Sequence, residues 1–150
     1  MIQRIQSLYL FLSGILMLIT LFFPLFTFQA EGVVYEMDAF RITAPVGAET
    51  SSTGGLFVVG IVSVLITLLT IFFYKKRGLQ IKLTIFNTVL MLGFIAYAVF
   101  LAFDFDAQLN AQWRPGFVMA FPVISVILNW LAIKRIKADE ALVKSLDRIR

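Results

Sequence analysis

The chain has 150 residues, enough for one domain. Sixty per cent of them are apolar and sixteen are Phe, against roughly 45–50% apolar in a soluble domain. A water-soluble core of this size could not hide that much apolar surface. Cys is absent, which removes disulfides, lipidated thiols and thiol chemistry, and His is absent, which removes the commonest general base and metal ligand.

Four apolar runs follow one another at residues 8–28, 55–74, 83–103 and 115–133. Each is about 20 residues long, and at about 1.5 Å per residue that matches the roughly 30 Å of bilayer hydrocarbon. None contains Asp, Glu, Lys or Arg. Each such charge would cost about 2.5–3.5 kcal/mol at the centre of an inserting helix. Arg4 gives the first run a basic flank like that of a signal peptide. The run is longer than the roughly 7–15 residues of a signal's apolar region, and Phe28-Gln29-Ala30 lacks the small residue a cleavage site needs. The expectation is an uncleaved span.

The connections differ in character. Residues 29–54 form a polar loop whose first half, "GVVYEMDAFRIT", alternates with period two and carries a short strand or hairpin. The second half, "APVGAETSSTGG", reads as irregular loop. Residues 75–82 are a tight basic turn in which Gly78 suits a left-handed helix end. Residues 104–114 are a short acidic loop, and Pro115 suits the first turn of the next helix. The expected fold is an all-α membrane protein: an antiparallel, up-down-up-down four-helix transmembrane bundle, with a helical extension in tail 134–150 and a short β element in the first outer loop.

Charge sets the orientation. Arg4, Lys75, Lys76, Arg77, Lys82, Lys134, Arg135, Lys137, Lys144, Arg148 and Arg150 flank one side, eleven of thirteen basic residues. The other side has only Arg41 and Arg114, with six of the nine acids. The positive-inside rule then puts both termini and the basic turn in the cytoplasm and the two acidic loops outside.

Three stretches together resemble a known family: "MIQRIQSLYLFLSGILMLITLFFPL" at the start, "KKRGLQIKL" at the turn and "LNWLAIKRIKADEALVKSLDRIR" at the end. They resemble the domain-of-unknown-function family 4293, small four-span bacterial membrane proteins. The resemblance implies a multi-pass protein of the bacterial inner membrane. It implies no activity and transfers no functional residue.

Few side chains invite a chemical reading. Asn87 and Asn129 are the most polar groups inside the spans and sit at similar depth. They are a polar solute site or, more in keeping with the lack of any accompanying charge, an interhelical hydrogen-bond pair. Gly60, Ser63, Thr67 and Thr70 share one face of the second span, and Ser125, Asn129 and Ala132 share one of the fourth. Small residues at such spacing let helices approach closely, whereas a conducting path normally carries rings of charge or carbonyls. Pro24 and Pro122 lie within spans, and Pro122 has the better claim to a kink. Asp104 and Asp106 bracket Phe105 and, two residues apart on a helix, point to different faces. They read as solvated helix-end charges; a weak divalent-cation site with Glu36 or Asp38 is the alternative. Trp113, Tyr35 and Phe105 fit an outer interfacial belt and Tyr74 an inner one.

In the tail, Leu142, Leu146 and Ile149 line one helix face, and Glu140 and Lys144 form a favourable i,i+4 pair. That face suits a cytoplasmic or membrane protein partner, or an anionic lipid surface. The sequence therefore points to a non-enzymatic accessory or assembly component with no cofactor and no nucleic-acid partner. A small homo-oligomeric transporter or channel is the alternative, and an outer-face enzyme using Asp104, Asp106 or Glu36 is the third reading.

Overall fold

The computed structural model describes residues 3–45, 49–109 and 111–148. Helix α1 (Gln3–Phe22) leads into four strands, β1 (Phe26–Ala30), β2 (Val33–Met37), β3 (Arg41–Thr43) and β4 (Glu49–Ser52). Helices α2 (Gly54–Phe72) and α3 (Arg77–Leu109) follow, then β5 (Gln112–Pro115), a 3-10 turn (Phe117–Met119) and α4 (Ala120–Asp147). Each of the four α-helices carries a segment long and apolar enough to cross a membrane.

The helices form a closed ring in which α1 packs on α2 and α4, and α3 packs on the same two. Neighbours run antiparallel, as paired contacts show. Gly14 meets Thr67 while Gly60 meets Leu21. Asn87 bonds Ser63 while Tyr97 reaches Gly55. Met91 meets Asn129 while Arg77 meets Asp139. Ser13 meets Ser125 while Gly116 meets Pro24 and Leu25.

The bundle packs small polar side chains among the apolar ones of its core, such as Met17, Leu21, Met91 and Phe94. Its interior holds Ser13, Ser63, Thr67, Asn87, Ser125 and Asn129, all buried. Its outside shows Phe11, Ile15, Phe22, Leu65, Phe72, Phe86, Val89, Phe100, Ile127 and Trp130. An apolar belt of that extent in water would be an aggregation surface; against lipid tails it costs nothing.

Five strands form one antiparallel sheet in the order β4-β3-β2-β1-β5. The β1–β2 hairpin turns on Glu31 and Gly32, whose φ values of +50° and +80° are those of a type I′ turn. Strand β5 comes from the connection between α3 and α4 and pairs with β1 in the register Phe28↔Trp113. The sheet therefore joins both loops at one end of the bundle, opposite the basic turn.

The fold thus departs from an all-α reading. The β element is a five-stranded sheet that draws on both connections, and residues 49–52 of the supposedly irregular half-loop are a strand. Its inner face carries Phe26, Phe28, Met37 and Ile42, all buried. They pack with the end of α3, where Phe105 lies edge-on to Phe28 at 4.9 Å and to Tyr35 at 5.7 Å. Trp113 is edge-on to Phe26 at 5.6 Å and to Phe103 at 5.3 Å. Phe105 is accordingly part of a helix–sheet core, with Tyr35 and Trp113 half-buried against it.

Several boundaries shift for local reasons. The first span ends at Phe22, not at residue 28, because Pro24 disfavours helix in the residue before it and the chain then enters β1. Helix α3 starts at Arg77, so Gly78 lies inside its first turn and ends no helix; Gly32 is the positive-φ glycine among the described residues. Residues 104–109 continue α3, and Pro115 closes β5 while α4 starts at Ala120. Pro122 falls in the first turn of α4, where its missing N–H costs no hydrogen bond within α4.

The helices differ in reach. With 20 and 19 residues, α1 and α2 measure about 30 Å, one hydrocarbon thickness. With 33 residues α3 measures about 50 Å, and its excess underlies the sheet. With 28 residues α4 measures about 42 Å, and its excess projects from the basic end as the tail.

Candidate functional site

The bundle interior contains a short hydrogen-bonded chain between α2 and α3. Ser63 Oγ donates to Asn87 Oδ1 at 2.7 Å, and Asn87 Nδ2 donates to Thr67 Oγ1 at 2.8 Å. Thr67 Oγ1 in turn donates to the Ser63 carbonyl at 2.9 Å. The i, i+4 spacing of Ser63 and Thr67 sets two oxygens on one face, one accepting and one donating towards the single amide opposite. Gly60 and Thr70 continue that buried face, Gly60 beneath Leu21 and Phe94, and Thr70 bonded to the Ile66 carbonyl at 2.6 Å.

Asn129 lies elsewhere. Its Nδ2 donates to Met91 Sδ at 3.4 Å, a weak acceptor, and its Oδ1 is buried without a partner. Asn87 and Asn129 are not bonded to each other, and neither lines any of the four grooves described below. One helix turn away, Ser125 and Ser13 exchange hydroxyl-to-carbonyl bonds at 3.2 and 3.3 Å, which lock α4 to α1. Ala132 is buried on the same face.

Two buried residues escaped sequence reasoning. Gln6 near the start of α1 and Gln80 near the start of α3 are almost wholly buried at the basic end, and both amide atoms of each lack a hydrogen-bond partner. They fall outside the apolar runs, in a flank and a turn where glutamine reads as solvated. The signal that could have found them is their phase: Gln6, Ser13 and Thr20 follow at seven-residue steps, and Gln80, Thr84, Asn87 and Met91 at four, three and four, each series along one helix face.

The basic end also has an open groove of about 480 Å³ between the α2–α3 turn and α4, lined by Tyr74, Lys75, Arg77, Gly78, Glu140, Val143 and Lys144. Arg77 NH1 donates to the Asp139 carbonyl at 3.3 Å, and Lys144 pairs with Glu140 at 3.0 Å. Two further grooves, of about 400 and 150 Å³, lie on the apolar outer surface, beside Gly93 and beside Gly14. A fourth, of about 290 Å³, sits on the sheet between Glu36 and Pro45.

The sheet-end acids are dispersed or already in use. Asp38 Oδ1 accepts the Phe40 and Arg41 amides at 2.7 and 2.8 Å, which sets the β2–β3 turn. Asp104 Oδ2 accepts Gln108 Nε2 at 3.0 Å, and Glu36 is exposed. No group of three His, Cys, Asp or Glu residues stands close enough to hold a metal ion among the described residues.

The tail continues α4 without a break. Leu142 and Leu146 are 57% and 58% exposed, and Val143 beside them is 39% exposed. Ile149 lies outside the described residues. Lys134 Nζ sits 4.5 Å over the Trp130 ring, an arrangement suited to the polar edge of a bilayer.

A comparison with curated proteins found no match. Residues 2–149, nearly the whole chain, match the family described as Domain of unknown function (DUF4293), and the chain belongs to that family.

Proposed function

We propose that this multi-pass membrane protein is a non-enzymatic accessory or assembly component of the bacterial inner membrane. Both termini lie in the cytoplasm and the sheet lies outside. The observation that carries the reading is the apolar face of α4 beyond the span. Leu142 and Leu146 stand about 33 and 39 Å along the axis from Ala120, past one hydrocarbon thickness. Two exposed leucines held on a rigid helix beyond the hydrocarbon form a surface for a helix or groove of a partner protein.

The test is photo-crosslinking from positions 142 and 146 in native membranes. A defined protein partner is expected, lost on Leu142→Asp with Leu146→Asp. Recovery of only this chain, alone or with itself, would count against the reading. Orientation is tested separately: a reporter fused after Arg150 is expected to be active only in the cytoplasm, and Ser52→Cys to be labelled from outside by an impermeant reagent.

A second reading, a small homo-oligomeric transporter or channel, draws on the unpartnered atoms of Gln6, Gln80 and Asn129. Buried amides normally find a partner, and a water-filled path would supply one. Because the chain has no Cys, Gln80→Cys and Asn129→Cys give clean probes. Labelling of both by a small aqueous thiol reagent supports a path, and protection of both in folded protein removes it.

A further inference from the structure

We infer that the groove between the α2–α3 turn and the tail helix binds the phosphate headgroup of an anionic phospholipid. The groove offers Lys75, Arg77 and Lys144 against Glu140, a net charge of +2. Glu140 is already engaged by Lys144, and one arm of Arg77 is anchored on the Asp139 carbonyl. That anchor fixes the guanidinium at the groove wall, where its remaining N–H groups suit the paired oxygens of a phosphate. Gly78 adds no side chain, and the space beside it is open, so a phosphate can approach the backbone at the start of α3. Amides of a helix's first turn lack intrahelical partners and favour anions.

Position selects a lipid over a soluble phosphate. The groove sits where the apolar segment of α2 ends, at Phe72, and that of α3 begins, at Arg77. Phe72, Phe73 and Leu79 are exposed beside it, 77% for Phe72, and Tyr74 lines the groove itself. A ligand with a charged head and acyl chains satisfies both surfaces at once, the head on the cations and the chains along the phenylalanines. Polybasic segments at a membrane surface attract anionic lipids in just this setting. The groove adjoins the tail face at Val143 but does not include Leu142 or Leu146, so the two readings are tested on different residues.

The experiment uses the full chain in symmetric vesicles of phosphatidylcholine doped with phosphatidylglycerol, which makes the result independent of orientation. Mild detergent release and native mass spectrometry then count the lipids that remain bound. Wild type is expected to retain phosphatidylglycerol over phosphatidylcholine. Lys75→Gln, Arg77→Gln and Lys144→Gln together are expected to lower that retention by roughly tenfold or more. Lys75→Gln with Lys144→Gln, which spares the Arg77 anchor, should lower it in part. The control changes Lys82, Arg135 and Lys137 to Gln, three exposed cations at the same end that do not line the groove. It should leave retention unchanged. Equal losses in groove and control variants would mean diffuse attraction and would overturn the site, as would wild type with no preference. Displacement by soluble glycerol phosphate at the same concentration as by phosphatidylglycerol would overturn the lipid assignment.

Discussion

Replacing Asn87 by Leu probes the polar chain between α2 and α3 at nearly constant volume. The change deletes the 2.7 Å bond from Ser63 and the 2.8 Å bond to Thr67. Interhelical bonds of this kind average about 0.6 kcal/mol in membrane proteins, with a maximum near 1.7. Two of them give about 1.2 kcal/mol. The apolar side chain recovers little, because lipid tails are as apolar as the bundle interior. Ser63 can redirect its hydroxyl to a carbonyl one turn back, as Thr67 and Thr70 do, which limits the penalty for the orphaned donor. The expected loss is therefore about 1 kcal/mol, with Asn87→Ala worse because it also leaves a void. The assay is reversible unfolding in mixed micelles, run as a double-mutant cycle with Ser63→Ala. A coupling energy near 0.6 kcal/mol is expected. A coupling indistinguishable from zero would refute the assignment of this amide to helix pairing, and so would an Asn87→Leu variant more stable than wild type.

Three further perturbations address other parts of the molecule. Gly116→Ala would place a Cβ 2.8 Å from the Pro24 carbonyl oxygen and 3.1 Å from that of Leu25; these are backbone atoms that cannot rotate away, so destabilisation at the upper end of the about 1–3 kcal/mol range for overpacking is expected, measured by unfolding in the same micelles. Phe105→Ala removes the ring shared by Phe28 and Tyr35 and should cost about 3–5 kcal/mol; the sheet should become sensitive to protease while the spans stay protected, and an equally resistant sheet would show that α3 does not hold it. Lys75→Gln, Lys76→Gln and Arg77→Gln together should give mixed insertion of α2 and α3, read by impermeant labelling of Cys placed at Ser52, because the turn is their nearest retention signal; uniform insertion would assign topology to the tail.

The amino-acid sequence alone determined the four apolar spans, the membrane class and the charge asymmetry between the two ends. These are sums over neighbouring residues: the length of an uncharged run and the number of Lys and Arg beside it need no tertiary contact to be read. The buried face of α2 was legible for the same reason, since Gly60, Ser63, Thr67 and Thr70 repeat with the helix period. The hairpin at Val33 was visible as a period-two pattern, but its place in a five-stranded sheet was not. Strand β5 is only four residues long and pairs with β1 from more than eighty positions away, a contact that exists because the bundle brings the two loops to one end. The same closure buried Phe105 and half-buried Tyr35 and Trp113 against the same core. Tertiary structure alone also gave Asn87 the partners Ser63 and Thr67 instead of Asn129, and buried Gln6 and Gln80. Depth along a span follows from counting residues, but the neighbour a side chain meets depends on how helices are rotated and tilted. That choice is made by packing, where Gly60 meets Leu21 and Ser13 meets Ser125, and no single helix encodes it.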